Sequence, residues 1–416
     1  MTIQIETWIW IVSGAMVTLS LLSSLLNPFA RKPCFNDEAT LPEEPAESGE
    51  DNTETVLSDQ TDSTNLPPIS IILTAHDQAS ALQKNLPAIM EQDYAAGFEV
   101  IVVTAKSEDN TEDVLKQLNA EYPHLYITFI PDSSRYMSRK KLAITLGVKA
   151  AKNEWLALIT PESHPATNQW LKRMAQQCID SNNLVIGYSN FDKDLSKTYR
   201  RFERLQQQYY LLRESQKSTA YRTPGPNLFF RKSQFMHERG FEGNLKYIRG
   251  EYDFIVNKYA KRGKTGIETS KSSWLVVDAP TPKQWRNEHL FYMETRKHLL
   301  RKFRHRLWPY IDTFFLHLSF ILPVAVIMCV LVFIGFFEWQ ENEQLLLSIL
   351  ALVAFVSLSL EYLLRMYFAN KAIKRFETDI PTWLAPIYQL SMLYRHLINK
   401  IRYKLADKYD FICHKL

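Results

Sequence analysis

Paired cysteines are missing from this sequence. Its four cysteines, Cys34, Cys178, Cys329 and Cys413, are scattered along 416 residues. No two stand at a spacing that would suggest a metal knuckle or a disulfide framework, so they read as reduced thiols. A strong net charge is missing too. The balance is +4, and its basic excess lies beside apolar runs, which suits anionic lipid headgroups and argues against nucleic acid as a partner. Charge is absent from Trp8 to Leu26 and again from Thr313 to Phe337, and each run is long enough to cross a hydrocarbon core of roughly 30 Å as a helix. A third run, Leu345 to about Leu364, holds only Glu361 near its end. No basic n-region precedes the first run and no clear small-residue cleavage pattern follows it, so it is expected to be a retained span and not a cleaved signal peptide. Three spans with so little internal polarity line no evident pathway, which argues against a transporter.

Between Cys34 and Leu66 there is neither Lys nor Arg and nothing periodic to bury, so this acidic stretch is expected to be a disordered tether. Arg31 and Lys32 follow the first span, Arg296, Lys297, Arg301, Lys302, Arg304 and Arg306 precede the second, and Arg365, Lys371, Lys374 and Arg375 follow the third. The connection between the second and third spans carries Glu338, Glu341 and Glu343 without a basic residue. Positive flanks face the cytoplasm, so the middle of the chain is expected there, held at a cell (inner or plasma) membrane. Beyond Pro381, apolar Trp383, Leu384, Ile387, Leu390 and Leu397 are interleaved with Arg395, Lys400, Arg402 and Lys404. The pattern predicts a basic amphipathic helix, lying in the membrane interface or packed on the soluble domain.

What the middle holds is alternation. Strand-like runs at Ile69–Thr74, Phe98–Val103, Tyr126–Ile130 and Trp155–Ile159 alternate with helical patterns at Ala79–Gln92, Thr111–Glu121 and Met137–Lys152. Such spacing predicts an α/β fold with a mainly parallel sheet and helices on both faces. Ligands in such sheets bind beyond the carboxyl ends of the strands, here Thr74-Ala75-His76, Thr104 to Thr111 and Thr160 to His164. The domain boundaries implied are 1–32 (N-terminal anchor), 33–66 (linker), 67–300 (soluble domain), 301–370 (two spans) and 371–416 (interfacial helix).

Local strings sharpen this. Ile71-Ile72-Leu73-Thr74-Ala75-His76-Asp77-Gln78, Glu91-Gln92-Asp93-Tyr94 before Phe98–Val103, Ser107 with Asp109-Asn110-Thr111, Lys140-Lys141-Leu142-Ala143, Gly147 to Ala151, and Glu154-Trp155-Leu156 occur in a specific order. In that order Pro67 to about Leu300 resembles the family 2 glycosyltransferases with a GT-A (Rossmann-like) fold, in their membrane-anchored branch. The resemblance implies an inverting transfer of a sugar from a nucleotide-diphospho-sugar to a lipid-linked or membrane-proximal glycan, as in cell-envelope polysaccharide assembly, with Mg²⁺ or Mn²⁺ as cofactor and membrane lipids around the spans. The alternative it leaves open is a catalytically inactive scaffold or regulatory subunit.

The family's acids are partly gone. The Asp-Asp expected after the second strand is Thr104-Ala105, followed by Lys106, and the metal-binding Asp-x-Asp is Thr160-Pro161-Glu162. Glu162 is left as metal ligand, since a hard cation can be held by one carboxylate with phosphates and water. Arg249-Gly250-Glu251-Tyr252-Asp253 stands at the family's general-base motif, making Glu251 or Asp253 the base or, alternatively, first-turn acids of a helix. Thr74, His76, Thr104 and Lys106 are expected to meet the nucleotide, and Arg135, Arg139, Lys140 and Lys141 to neutralise its diphosphate in place of the lost acids. Gly225-Pro226-Asn227 resembles the acceptor-side loop, with its glycine supplying conformational freedom and Asn227 meeting a sugar hydroxyl. Trp285 and Arg286 stand ready to stack on and pair with the donor, or Trp285 to anchor at the membrane interface.

Overall fold

The computed structural model describes residues 2–35, 66–131 and 138–413. Most of the expected linker, and Arg135, lie outside the described residues. The chain opens with helix α1 (Thr2–Leu26). From Ile69 it alternates through β1 (Ile69–Ala75), α2 (Ala79–Met90), β2 (Phe98–Thr104), α3 (Thr111–Glu121), β3 (Leu125–Phe129), α4 (Arg139–Ala150) and β4 (Trp155–Leu158). Then come β5 (Ser163–Pro165), α5 (Trp170–Ala175), β6 (Leu184–Gly187), β7 (Ser189–Phe191), α6 (Thr198–Lys217) and β8 (Leu228–Arg231). Next are α7 (Lys232–His237), α8 (Glu251–Tyr259), β9 (Thr265–Glu268), β10 (Leu275–Val277) and α9 (Pro282–Thr295). Three long helices close the chain: α10 (Phe303–Phe336), α11 (Glu341–Arg375) and α12 (Ala385–Leu405).

The residues divide into two compact units. One comprises 33–197, 211–300 and 402–416, and contains every strand. Its seven-stranded sheet runs β3-β2-β1-β4-β8-β6-β9, with only β8 antiparallel to its neighbours, beside a small sheet β5-β10-β7. The expected mainly parallel α/β sheet is therefore observed. Period-two alternation explains its two-sided cover. Ile71 and Leu73 join Leu82, Leu86, Ile89, Leu115 and Leu118 of α2 and α3 in one buried cluster. Ile72 and Val103 meet α4 on the other face, where a Cβ on Gly147 would come within 2.7 Å of the Ile72 side chain. The absence of that atom lets helix and sheet touch.

The other unit comprises 1–32, 198–210 and 301–401. It holds three helical segments long and apolar enough to cross a membrane: Glu6–Leu26, Phe303–Phe336 and Glu341–Arg375. Two expected domain boundaries move. Residues 198–210 join this unit because Phe202 packs on Phe29 and Tyr388 (ring centroids 5.8 and 5.5 Å) and Arg201 donates to the Asp379 carbonyl at 2.9 Å. Residues 402–416 leave it for the strand-bearing unit.

The expectation of little internal polarity among the spans is also corrected. Arg365, read from sequence as a flanking charge after the third span, is fully buried and ion-paired to Glu361 one turn earlier on α11. Its guanidinium also donates to the Ser23 hydroxyl and carbonyl (2.7 and 2.9 Å) and to Gln389 Oε1 (3.1 Å), and lies 3.7 Å from Asp312. Glu361 accepts from Ser23 and Ser24 at 2.9 and 3.0 Å. Gln389 donates in turn to Asn27. One arginine thus ties α1, α10, α11 and α12 together, where no water competes for its donors. Removing one partner of such a pair strands the other's charge, at about 3–5 kcal/mol. Arg365→Leu is expected to lose that much stability by detergent-titration unfolding, with Glu361→Leu/Arg365→Leu recovering most of it; equal losses in the single and double variants would refute the coupling.

Candidate active site

All described site residues belong to the strand-bearing unit. A cleft of about 1190 Å³ opens beyond the carboxyl ends of β1, β2 and β4, where α/β sheets bind ligands. Thr74 to Ala81 after β1, Ala105 after β2, Ser138 to Lys140 at the head of α4, and Pro161 and Glu162 after β4 form much of its wall. Ile248 and Arg249 before α8, Asp278, Thr281 and Gln284 around the start of α9, and Cys413 complete it. A smaller recess of about 390 Å³ adjoins, lined by His76, Ala105, Lys106, Ser107, Glu108, Ile130, Pro131 and Arg139.

The acids in this wall are engaged. Asp77, at φ 52°, accepts from the Glu108 backbone at 2.8 Å, and Asp109 accepts from the backbones of Ala79 and Thr111, both at 3.0 Å. These bonds lace the β1 and β2 ends together and cap α2 and α3 with one carboxylate. Asp278 pairs with Lys84 and accepts from Asn85 at 2.9 Å, while its backbone donates to the Glu162 carbonyl at 2.7 Å. Glu162 accepts from the Gln78 side-chain amide. Lys84, Arg139, Lys140 and Arg249 line the same cleft and Lys106 the recess.

Gly250, at φ 92°, turns the chain into α8; a Cβ there would lie 2.5 Å from Thr295. Glu251 follows as the first helical residue, buried, 2.6 Å from Lys140 Nζ. Burial alone would raise its pKa, but the charges of Lys140 and Arg249 outweigh that and hold it at about 2. For Asp253 burial wins: despite Arg222 at 3.3 Å, and helped by the negative charge of Glu251, its pKa rises to about 6. Lys141 beside Lys140 is wholly buried. Burial lowers its pKa to about 8, and its ammonium donates to the carbonyls of Asn244 and Tyr247 at 2.8 and 2.5 Å.

The structure brings Thr74, His76, Arg139, Lys140 and Glu162 to the large cleft and Lys106 to the recess. Glu251 and Asp253 do not line it, although Glu251 holds Lys140. Thr104, one residue inside the sheet, is fully buried and donates its hydroxyl to the Ala105 carbonyl. Asn227 is buried as well. It, not Gly225, takes the left-handed turn (φ 89°), and its amide joins Trp170, Tyr188 and Ser273 by bonds of 2.9–3.0 Å, so its sugar-binding role gives way to a structural one. Trp285 packs on Phe191 and His289, Arg286 is exposed, and neither lines the cleft, because Thr281 and Gln284 of the helix-starting capping box occupy that side. Sequence reasoning missed Lys84, Asp278 and Cys413, which no local string marks, and passed over Gln284, although it stands directly before Trp285 and Arg286.

Among the described residues, no group of three His, Cys, Asp or Glu side chains is arranged to hold a metal ion. Glu162, whose carboxylate accepts from the Gln78 amide at the cleft, has the oxygen chemistry for one ligand of a hard divalent cation whose shell would be completed by phosphate and water.

Residues 67–221 match the family model described as glycosyltransferase like family 2, which supports the resemblance over that segment. The chain is 31% identical over 111 residues to Glycosyltransferase AglE of Haloferax volcanii, a stretch covering 26% of this chain and 34% of that relative, about a third of its length. Among solved structures it is similar to the mannosyltransferase PcManGT of Pyrobaculum calidifontis, in complex with GDP-Man and Mn²⁺ (TM-score 0.44, 14% identity, 95% of this chain and 99% of that one). It is also similar to TarS 1-349 of S. aureus (TM-score 0.38, 14% identity, 79% and 92%).

Two carboxylates shifted in opposite directions give opposite pH signatures. Glu251 falls from 4.5 to about 2 on folding, so its stabilisation is complete above about pH 4.5 and is lost as pH drops toward 2. Asp253 rises from 3.8 to about 6, so its ionisation opposes folding and stability declines as pH rises across that window. Thermal denaturation across pH 3–7 is expected to lose the decline between pH 4 and 6 in Asp253→Asn and to flatten below pH 4.5 in Glu251→Gln.

Loss of a buried amide that joins three segments leaves unpaired polar groups at about 1–3 kcal/mol each. Asn227→Ala is expected to lower the melting temperature by several degrees, whereas Arg286→Ala leaves it unchanged; equal melting temperatures for both would contradict the placement of Asn227.

Proposed function

We propose that this chain is a membrane-bound glycosyltransferase that binds a nucleotide-diphospho-sugar in the cleft and transfers the sugar, with inversion, to a lipid-linked or membrane-proximal glycan. The single observation that carries the reading is a cleft at the strand ends lined by Lys84, Arg139, Lys140 and Arg249 together with Glu162, all but Arg249 within the segment that matches the family 2 model. Arg139 and Lys140 lie at the first turn of α4, where helix amide groups favour anions and the ammonium and guanidinium groups neutralise phosphate. Glu251 holds the Lys140 ammonium in place through their ion pair. Thr74 and His76 border the nucleotide end, and Lys106, next to the Thr104-Ala105 that stands in place of the acid pair, adds a cation in the adjoining recess.

When a divalent cation is bound, Glu162 would hold it, and it would supply charge neutralisation of the departing diphosphate. The resemblance gives Glu251 or Asp253 as the base for the acceptor's proton; Asp253, raised by burial, is the better matched in pKa, while neither carboxylate lines the cleft. Positive flanks at Arg31 and Lys32 and at Arg296 to Arg306 support a cytoplasmic catalytic domain at the cell membrane, in cell-envelope polysaccharide assembly.

One observation favours a second reading, a catalytically silent regulatory or scaffold subunit. Glu251 and Asp253 are both buried in ion pairs and neither lines the cleft. Calorimetry of the detergent-solubilised chain with UDP-, GDP- and TDP-sugars, with and without Mn²⁺, separates the two. Binding of one donor is expected. Lys140→Ala should weaken it at least tenfold, a charge-assisted hydrogen bond being worth about 1.5–3 kcal/mol, and Glu162→Ala should abolish its Mn²⁺ dependence. No binding by any nucleotide-sugar would sink the transferase, and binding without sugar release would leave the silent subunit.

A further inference from the structure

The chain beyond α12 returns to the cleft. Cys413 is one of its lining residues, and the segment leading there is fastened at several points within the strand-bearing unit. The Tyr403 hydroxyl bonds Glu294 and Lys297 near the end of α9. Phe411 is buried, its ring 5.5 Å from Phe291 of α9 and 5.2 Å from Tyr403. The backbone then pairs antiparallel with the loop before α8: Ile248 N–H donates to the Phe411 carbonyl at 3.1 Å, Cys413 N–H donates to the Lys246 carbonyl at 2.8 Å, and Tyr247 faces Ile412 in a β-bridge.

That loop is held from its other side by the head of α4. Ser138 accepts nothing from it but donates twice, its N–H to the Leu245 carbonyl (3.1 Å) and its hydroxyl to the Ile248 carbonyl (2.8 Å), while Lys141 caps the Asn244 and Tyr247 carbonyls. Tyr247 also stacks on His298 of the α9 end at 4.1 Å. The loop carrying Ile248 and Arg249 into the cleft therefore lies between the cation-bearing helix head and the returning segment. No regular ladder holds it elsewhere.

We propose that Arg402–Cys413 is a strap forming one wall of the cleft, whose docking positions Arg249 and the 244–250 loop for an anionic ligand. Tyr403 and Phe411 are positioning residues in this scheme, acting through the loop. The strap needs no ligand to exist. Only its effect on affinity rests on the nucleotide-sugar reading.

The test uses the full chain in lipid nanodiscs. Hydrogen–deuterium exchange of 244–251 is followed in the unaltered chain, Phe411→Ala, Phe411→Tyr and a chain truncated after Leu405. Phe411→Ala and the truncation are expected to speed exchange in 244–251 at least tenfold while β1 and β2 exchange as before; Phe411→Tyr is expected to restore protection. Unchanged exchange in 244–251 on truncation overturns the strap. In the same samples, the donor found by calorimetry is expected to bind about tenfold more weakly to Phe411→Ala, and unchanged affinity overturns the positioning role. If no nucleotide-sugar binds the unaltered chain, the transferase reading fails while the exchange result still decides the strap.

Discussion

A buried ammonium must be surrounded by oxygens or lose its charge, and the cleft is arranged around how Lys141 meets that demand. Its Nζ takes two carbonyls from the 244–248 loop and sits 4.5 Å over the Phe254 ring of α8. A helix turn that places Lys141 inward leaves Arg139 and Lys140 at the cleft, since neighbours on a helix point about 100° apart. Lys140 reaches Glu251. The Lys-Lys pair therefore divides its labour, one member fixing the loop and the other presenting charge where a ligand would lie. Glu251 and Asp253 are then two buried carboxylates, each matched by its own cation, Lys140 and Arg222, which is how ionised groups persist away from water.

The same rule operates in the helical unit, with a different solvent. Arg365 is satisfied by Glu361, Ser23 and Gln389 because the surrounding apolar faces offer nothing else. Hydrophobic burial cannot hold helices together where the solvent is itself apolar, so polar contacts and close packing set the assembly. The first helix is therefore more than an anchor: two of its serines are ligands of the network.

Much of the fold was legible. Strands β1 to β4 and helices α2 to α4 announce themselves by period two against period 3.6, and their observed ends fall within about two residues of expectation. The spans were legible from charge-free runs. What the sequence hid was everything decided by a distant partner. Arg365 reads as a flank because its partners lie on three other helices. Asn227 reads as a sugar ligand because nothing local says that Trp170, Tyr188 and Ser273 converge on it. Thr104 reads as a cleft residue because the strand-end position was right, but its side chain fell on the buried side of the pleat. Lys84 and Asp278, nearly two hundred residues apart in the chain, enter the cleft as a pair.

The lost acids and the gained bases are two sides of one electrostatic change. A cleft with Asp-Asp and Asp-x-Asp would carry several negative charges, and a diphosphate could enter it only with a cation between. Here Asp77, Asp109, Asp278 and Glu162 are each engaged in internal bonds, Glu162 with the Gln78 amide, while Lys84, Arg139, Lys140 and Arg249 line the same cleft. Lys84 and Lys140 are themselves paired, to Asp278 and Glu251, so their fields are partly spent before any ligand arrives. A diphosphate brought there meets Arg139 and Arg249 first, and guanidinium groups hold phosphate oxygens in bidentate fashion without a metal bridge. On the proposed reading, an anion in the cleft is received by the protein's own side chains, and a cation at Glu162 would add to that field without being its origin.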